Sequence, residues 1–330
     1  MRLSVLDQSP ISENMTGAEA LRNSVDLARF TESLGYNRYW VAEHHGTPML
    51  ASPAPEILIG AIAGATSRIR VGSGGVMLPH YSPVKVAEVF SMLSGLYPRR
   101  IDLGIGRAAG TDPMTTFALQ RDRRQASPDD FPQQLAELLA YIEDQMPSDH
   151  PFARLTLLPG RPEKPEVWLL GSSPQSGIWA AEAGLPYAFA DFISPHGADI
   201  CRDYRASATN PRVMVAVSAV CAETDEEAWR LSASSRMSFM KLRQGELIAV
   251  PPIEKALAYF AEQGLAHDAL PVGRRAIIGS PSKVLAGLEA VGEEYEAEEV
   301  MIVTITYDHE ARKRSYELVA EANNAAAAVE

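Results

Sequence analysis

Val167-Trp168-Leu169-Leu170-Gly171-Ser172-Ser173-Pro174-Gln175-Ser176-Gly177 decides how this chain folds. Its first four residues are an apolar run of strand length, and Gly171 ends the run where the backbone can approach a neighbour closely. Ser173 is placed to cap a helix whose first position, Pro174, is preset for helical φ. The segment is therefore one strand–turn–helix unit, with its helix expected over 174–183. The same unit recurs outward in both directions. Upstream, strands at 3–6, 39–42, 69–76 and 101–105 precede helices at 17–34 (closed by Gly35), 55–66, 83–95 and 131–145. Downstream, strands at 187–192, 213–220 and 300–305 precede helices at 196–208, 224–242 and 309–322. Eight such units predict a parallel sheet closed into a (β/α)8 TIM barrel. The alternative, a doubly wound sheet, lacks the GxGxxG that a dinucleotide fold carries after its first strand.

The 330 residues fit one barrel domain spanning 1–330. Segments 108–163 and 243–275 exceed the minimal barrel and are expected as insertions over the C-terminal rim of the strands, and the tail 323–330 is expected to fray. Hydrophobic residues are 46% of the chain and charged ones 22%, as in an ordinary globular protein. The formal net charge of -12 and the lack of a basic cluster exclude a nucleic-acid binder, which needs a cationic face. Cys201 and Cys221 form no CxxC pair, which fits a reducing compartment and gives no zinc pattern. The chain begins directly in a strand, without a signal-peptide pattern, and no apolar run approaches the roughly 18 residues of a membrane span. The expectation is a soluble, cytoplasmic protein that binds neither membrane nor nucleic acid.

Barrel enzymes carry their chemistry at the C-terminal ends of the strands. Those positions hold Asp7 and Gln8, then Glu43-His44-His45, then Gly74, Gly75 and His80, then Gly106 and Arg107, the Gly171–Gly177 turn, and Asp191. In that turn, the first-turn amides, the helix dipole and the hydroxyls of Ser172, Ser173 and Ser176 suit a phosphate. Gly279-Ser280-Pro281-Ser282-Lys283 has the same grammar, and local chemistry does not separate the two. Adjacent side chains on a strand point to opposite faces, so one of His44 and His45 is expected to face the pocket as an acid/base or hydrogen-bonding group. No HxH or HxxxH spacing accompanies them, so no metal is expected. Gly72-Ser73-Gly74-Gly75 suggests a bulge or the close approach of a flat ligand, and Arg107 a forked donor to phosphate.

Together these residues resemble the flavin-dependent, luciferase-like monooxygenases, nearest the single-chain relatives of the bacterial luciferase alpha subunit. The likeness lies in Tyr39-Trp40-Val41-Ala42-Glu43-His44-His45, in residues 71–79 with Ser82-Pro83, in residues 99–107, in residues 172–186 and in Ile278-Gly279-Ser280-Pro281, all in register. The resemblance implies FMN as cofactor, with its phosphate at Gly171, Ser172, Ser173 and Ser176 and Arg107 assisting. It also implies a non-proline cis bond at Gly74-Gly75 beside the flavin ring, His44 as catalytic residue, and the 279–283 turn as a helix start only. The implied reaction uses reduced FMN from a separate NAD(P)H-dependent flavin reductase and O2. A C4a-hydroperoxyflavin would oxidise a small organic substrate, such as an aldehyde or ketone, in a homodimer. Related barrels use the deazaflavin F420 for hydride transfer, and others bind flavin without catalysis. Gly106 stands where bacterial luciferase carries a reactive cysteine, so no thiol chemistry is implied. Segment 243–275 matches the family's mobile cover in place and not in sequence.

Overall fold

The computed structural model describes residues 1–107, 112–120, 123–124, 130–160 and 163–328. The first half runs β1 (Leu3–Asp7), α1 (Gly17–Ser33), β2 (Arg38–Val41), α2 (Pro55–Ala65), β3 (Arg70–Met77), α3 (Pro83–Leu96), β4 (Ile101–Gly106), α4 (Pro113–Leu119) and α5 (Phe131–Glu143). The second runs β5 (Glu166–Gly171), α6 (Pro174–Glu182), β6 (Tyr187–Ala190), α7 (Ala198–Ser207), β7 (Val213–Cys221), α8 (Asp225–Arg243), α9 (Ile253–Glu262), β8 (Ala276–Gly279), α10 (Pro281–Glu294), β9 (Glu299–Val303) and α11 (His309–Ala327). All strand pairs are parallel. β1 to β6 pair in sequence, and β7 and β9 close the ring from β6 back to β1. The protein is a (β/α)8 barrel.

Two apolar layers hold it. Val5, Tyr39, Val71, Leu103 and Val215 point outward against the helices, where Leu27, Ile59, Phe90 and Val319 meet them. Their neighbours along the strands, including Leu6, Trp40, Trp168, Met214 and Met301, fill the barrel interior. This is the alternation that a barrel strand with both faces buried requires.

The expected eight strands all occur, with boundaries displaced by a residue or two. The structure adds β8, which pairs only with the C-terminal half of β7 and stands outside the closed ring. Segment 243–275 carries α9 and lies between α8 and β8. Part of segment 108–163 falls outside the described residues. What is described of it contributes α4 and α5, and Phe131 of α5 stacks on Trp179 of α6 at 5.1 Å between ring centres. The tail needs correction: α11 continues to Ala327. Its run of alanines, the best helix formers, extends the helix past residue 322.

The structure also bears on the two Ser-Pro turns. At the start of α10 the Asp225 carboxylate accepts the Ser280 amide at 2.7 Å and pairs with Lys283 at 3.3 Å. The anion position of that turn is filled by the protein's own carboxylate.

Candidate active site

β2 ends at Val41, and the chain leaves the sheet before the two histidines. The strand alternation therefore no longer applies, and both His44 and His45 line one cavity at the C-terminal rim, of about 490 Å³. Their partners differ. Glu43, buried, accepts from His45 Nε2 at 2.7 Å, from the Met77 amide at 2.9 Å and from the Tyr81 hydroxyl at 2.9 Å. Glu43 thus ties the end of β2 to the end of β3, and His45 is held by it. The His44 amide donates to the Ser52 carbonyl at 2.9 Å, which fixes its backbone. Its ring Nδ1 is buried and has no hydrogen-bond partner among the described residues. Burial, with the neighbouring His45 ring, pulls the His44 imidazole down to about 4 from its ordinary 6.5. At neutral pH the ring is uncharged, with a proton on one nitrogen and a lone pair on the other.

Gly74 and Gly75 lie beside this pair, since β2 and β3 are paired through Trp40–Gly72 and Val41–Ser73. Their peptide bond is cis, and the β3–β4 register shifts between Ser73 and Val76. Space explains the glycines: a Cβ on Gly75 would lie 2.8 Å from the Gly104 carbonyl oxygen, and one on Gly74 2.5 Å from Leu6 Cδ1. The half-buried rim there is bare backbone, open to a flat group.

Two strands further round is the β5–α6 turn. Gly171 carries no side chain because Ser176 fills that place, its Oγ 2.2 Å from where a Cβ would sit. The Ser176 hydroxyl is turned inward, donating to the Ser173 carbonyl at 2.6 Å and bonding the Tyr187 hydroxyl at 2.8 Å. Ser172 is half-buried and Ser173 exposed. Arg107, at the end of β4, lies over Trp179 of α6, 5.4 Å from the ring centre. The strand-four arginine and the strand-five turn therefore share one corner of the rim.

Other strand-end residues have structural work. Asp7 is buried against Arg312 at 2.7 Å and the Tyr39 hydroxyl at 2.6 Å. Asp191 accepts from the Tyr295 hydroxyl at 2.7 Å. Gln8 does reach the cavity. Sequence reasoning missed the far wall: Phe192 after β6, Phe239 and Leu242 of α8, and Leu247 and Arg274 of segment 243–275. That segment is laced to the β1 end through Val250, whose amide donates to the Ile11 carbonyl at 2.8 Å and whose carbonyl accepts the Glu13 amide at 2.8 Å. Those contacts join residues far apart in the chain, so no local pattern reports them.

The family description "Luciferase-like monooxygenase" matches residues 1–298. The chain belongs to that family. A luciferase-like monooxygenase of Escherichia coli K12 is 40% identical over 325 residues, covering 96% of this chain and 95% of that protein. The N-acetyl-S-alkylcysteine monooxygenase of Bacillus subtilis 168 is 36% identical over 329 residues, covering 98% of each chain. The solved structure of apo-MsnO8 is 42% identical with a TM-score of 0.88 and covers 98% of both chains. This luciferase-like chain is thus an oxidoreductase of the monooxygenase type. None of its described helices is long and apolar enough to cross a membrane.

Proposed function

We propose that the protein is an FMN-dependent monooxygenase that uses reduced FMN and O2 to oxidise a small organic substrate. The observation that carries the reading is His44, uncharged, with an unpartnered buried nitrogen, in the wall of a rim cavity. The residues present fit a flat cofactor with a phosphate tail. Gly74 and Gly75 would lie against the ring system, while Ser172, Ser173, the start of α6 and Arg107 would take the phosphate. Ser176 and Gly171 shape that turn from within, because the Ser176 hydroxyl is already spent on Ser173 and Tyr187.

Bound reduced FMN would supply the two electrons that let one oxygen atom of O2 enter the substrate while the other leaves as water. The chain's own contributions are distinct. Neutral His44 accepts or donates a proton beside the reacting group, with Glu43 and His45 holding the loop that carries it. Segment 243–275 covers the cavity and limits water. The reduced flavin would come from a separate NAD(P)H-dependent reductase. An aldehyde, a ketone or, following the name of the Bacillus relative, a thioether suits the partly apolar cavity.

Stopped-flow mixing of the protein with photoreduced FMN and then aerated buffer tests the proposal. The expected result is the absorbance of a C4a-hydroperoxyflavin decaying far more slowly than free reduced flavin reoxidises. Failure to bind reduced FMN, or reoxidation at the free rate, rejects it and makes F420 the cofactor to try.

A further inference from the structure

Arg274 stands out among the residues that line the cavity. Its guanidinium donates to the Phe192 carbonyl and lies over the Phe239 ring, 4.9 Å from its centre. Among the described residues no carboxylate pairs with it, whereas its neighbour Arg275 is paired with both Asp191 and Glu294. Burial, with the nearby Arg243, disfavours the Arg274 charge and pulls its pKa down. An arginine half-buried in an apolar wall costs solvation, and an anion offering two acceptor oxygens would return it.

The rest of the lining is consistent with that use. Met49, Leu50, Phe192, Phe239, Leu242 and Leu247 supply apolar surface. His44 carries no charge at neutral pH, and His45 is engaged by Glu43. The Asp112 carboxylate also borders the cavity, but it caps α4, accepting the Met114 amide at 2.9 Å and the Thr115 amide at 3.1 Å. Its negative charge is therefore directed at a helix N-terminus.

We infer that Arg274 is a substrate-binding residue and that the natural substrate is a small carboxylate with an apolar body, its carboxyl group on Arg274 and its body along the Phe239–Leu247 wall. The inference rests on the monooxygenase reading for what happens at the other end of the molecule, near His44. It does not rest on that reading for the anion site.

Octanoate and its uncharged analogue methyl octanoate are the probes, titrated calorimetrically into the full-length protein. Octanoate is expected to bind about tenfold tighter or more, the worth of a charge-assisted pair. R274M should erase the preference while both probes still bind through their tails. R274Q keeps a donor for the Phe192 carbonyl and removes the charge, so it serves the same purpose if R274M does not fold, as judged by its melting curve. Equal binding of the two probes to the unaltered protein, or a preference that survives in R274M or R274Q, overturns the inference. FMN binding is followed in the same variants by fluorescence quenching and is expected to be unchanged. Loss of FMN binding with octanoate unaffected would assign Arg274 to the cofactor and also overturn it. If the unaltered protein ignores FMN yet prefers octanoate, the FMN proposal fails and the carboxylate site stands.

Discussion

Burial without a partner sets the chemistry of His44. A charged imidazole would have to keep its Nδ1 proton in a place that offers no acceptor, so the neutral form is favoured down to a pKa of about 4. Between pH 6.5 and pH 4 the unfolded chain takes up a proton that the native ring refuses. His44 therefore costs stability as pH falls through that window, and the cost is complete below pH 4. Two outcomes follow for one variant. H44A should leave reduced-FMN binding within about twofold and lower substrate turnover by about 10² to 10⁴, the usual worth of a positioned acid/base group. Its stability should fall less steeply than the parent's between pH 6.5 and pH 4 in urea titrations. Unchanged turnover would remove His44 from catalysis, and an unchanged slope would mean the ring is protonated in the native state. His44 was legible as a strand-end histidine. Its difference from His45 was not, because it depends on Glu43 being tied to Met77 at the end of the next strand and to Tyr81 just beyond it.

At the scale of elements, α2 and α3 carry apolar side chains that stand exposed among the described residues. Ile57 is 73% exposed, Met92 56% and Leu96 67%, on adjacent helices joined by the Tyr97 hydroxyl bonding the Gly60 carbonyl at 3.2 Å. Large apolar groups grouped in this way mark an association surface, and a second copy of the chain is the proposed occupant. Light scattering should give a particle of twice 35.8 kDa, and I57E combined with L96E should give the single-chain mass with the fold intact. A monomer before mutation, or a dimer after it, sinks the proposal. The elements themselves were legible to different degrees. β5 and α6 were readable because an apolar run, a glycine and a Ser-Pro start coincide within eleven residues. β8 was not, since four residues pairing on one side with β7 leave no periodicity to detect. α9 follows Pro251-Pro252, which reads as a turn, and its apolar face is defined only by packing on α8.

For the whole molecule, the end of the barrel away from the cavity is held by charge. Arg38 lies inside it, bonded to Asp102 at 2.8 Å, Glu166 at 2.7 Å and Glu299 at 3.2 Å, while Arg70 adds a second cation on Asp102. Trp168 is packed between the guanidinium groups of Arg38 and Arg212, 5.0 and 5.1 Å from its ring centre. The network joins β2, β3, β4, β5 and β9, so it fixes strands that are neighbours only once the barrel closes. Burial disfavours the Glu166 charge, but Arg38 and Arg212 outweigh it and bring the carboxyl down to about 2 from 4.5. A carboxylate shifted this way stabilises the fold above pH 4.5 and loses that contribution as pH falls from 4.5 to 2. With the side chain 25% exposed, solvent screening leaves about 2 kcal/mol. E166Q should therefore be less stable by about that amount at pH 7, and the difference should shrink towards zero near pH 2, as read by urea denaturation at each pH. An equal loss at both pH values would mean that Glu166 contributes shape and not charge. The pairs of Arg38 with Asp102 and Glu299 would then carry the charge at this end of the barrel without Glu166.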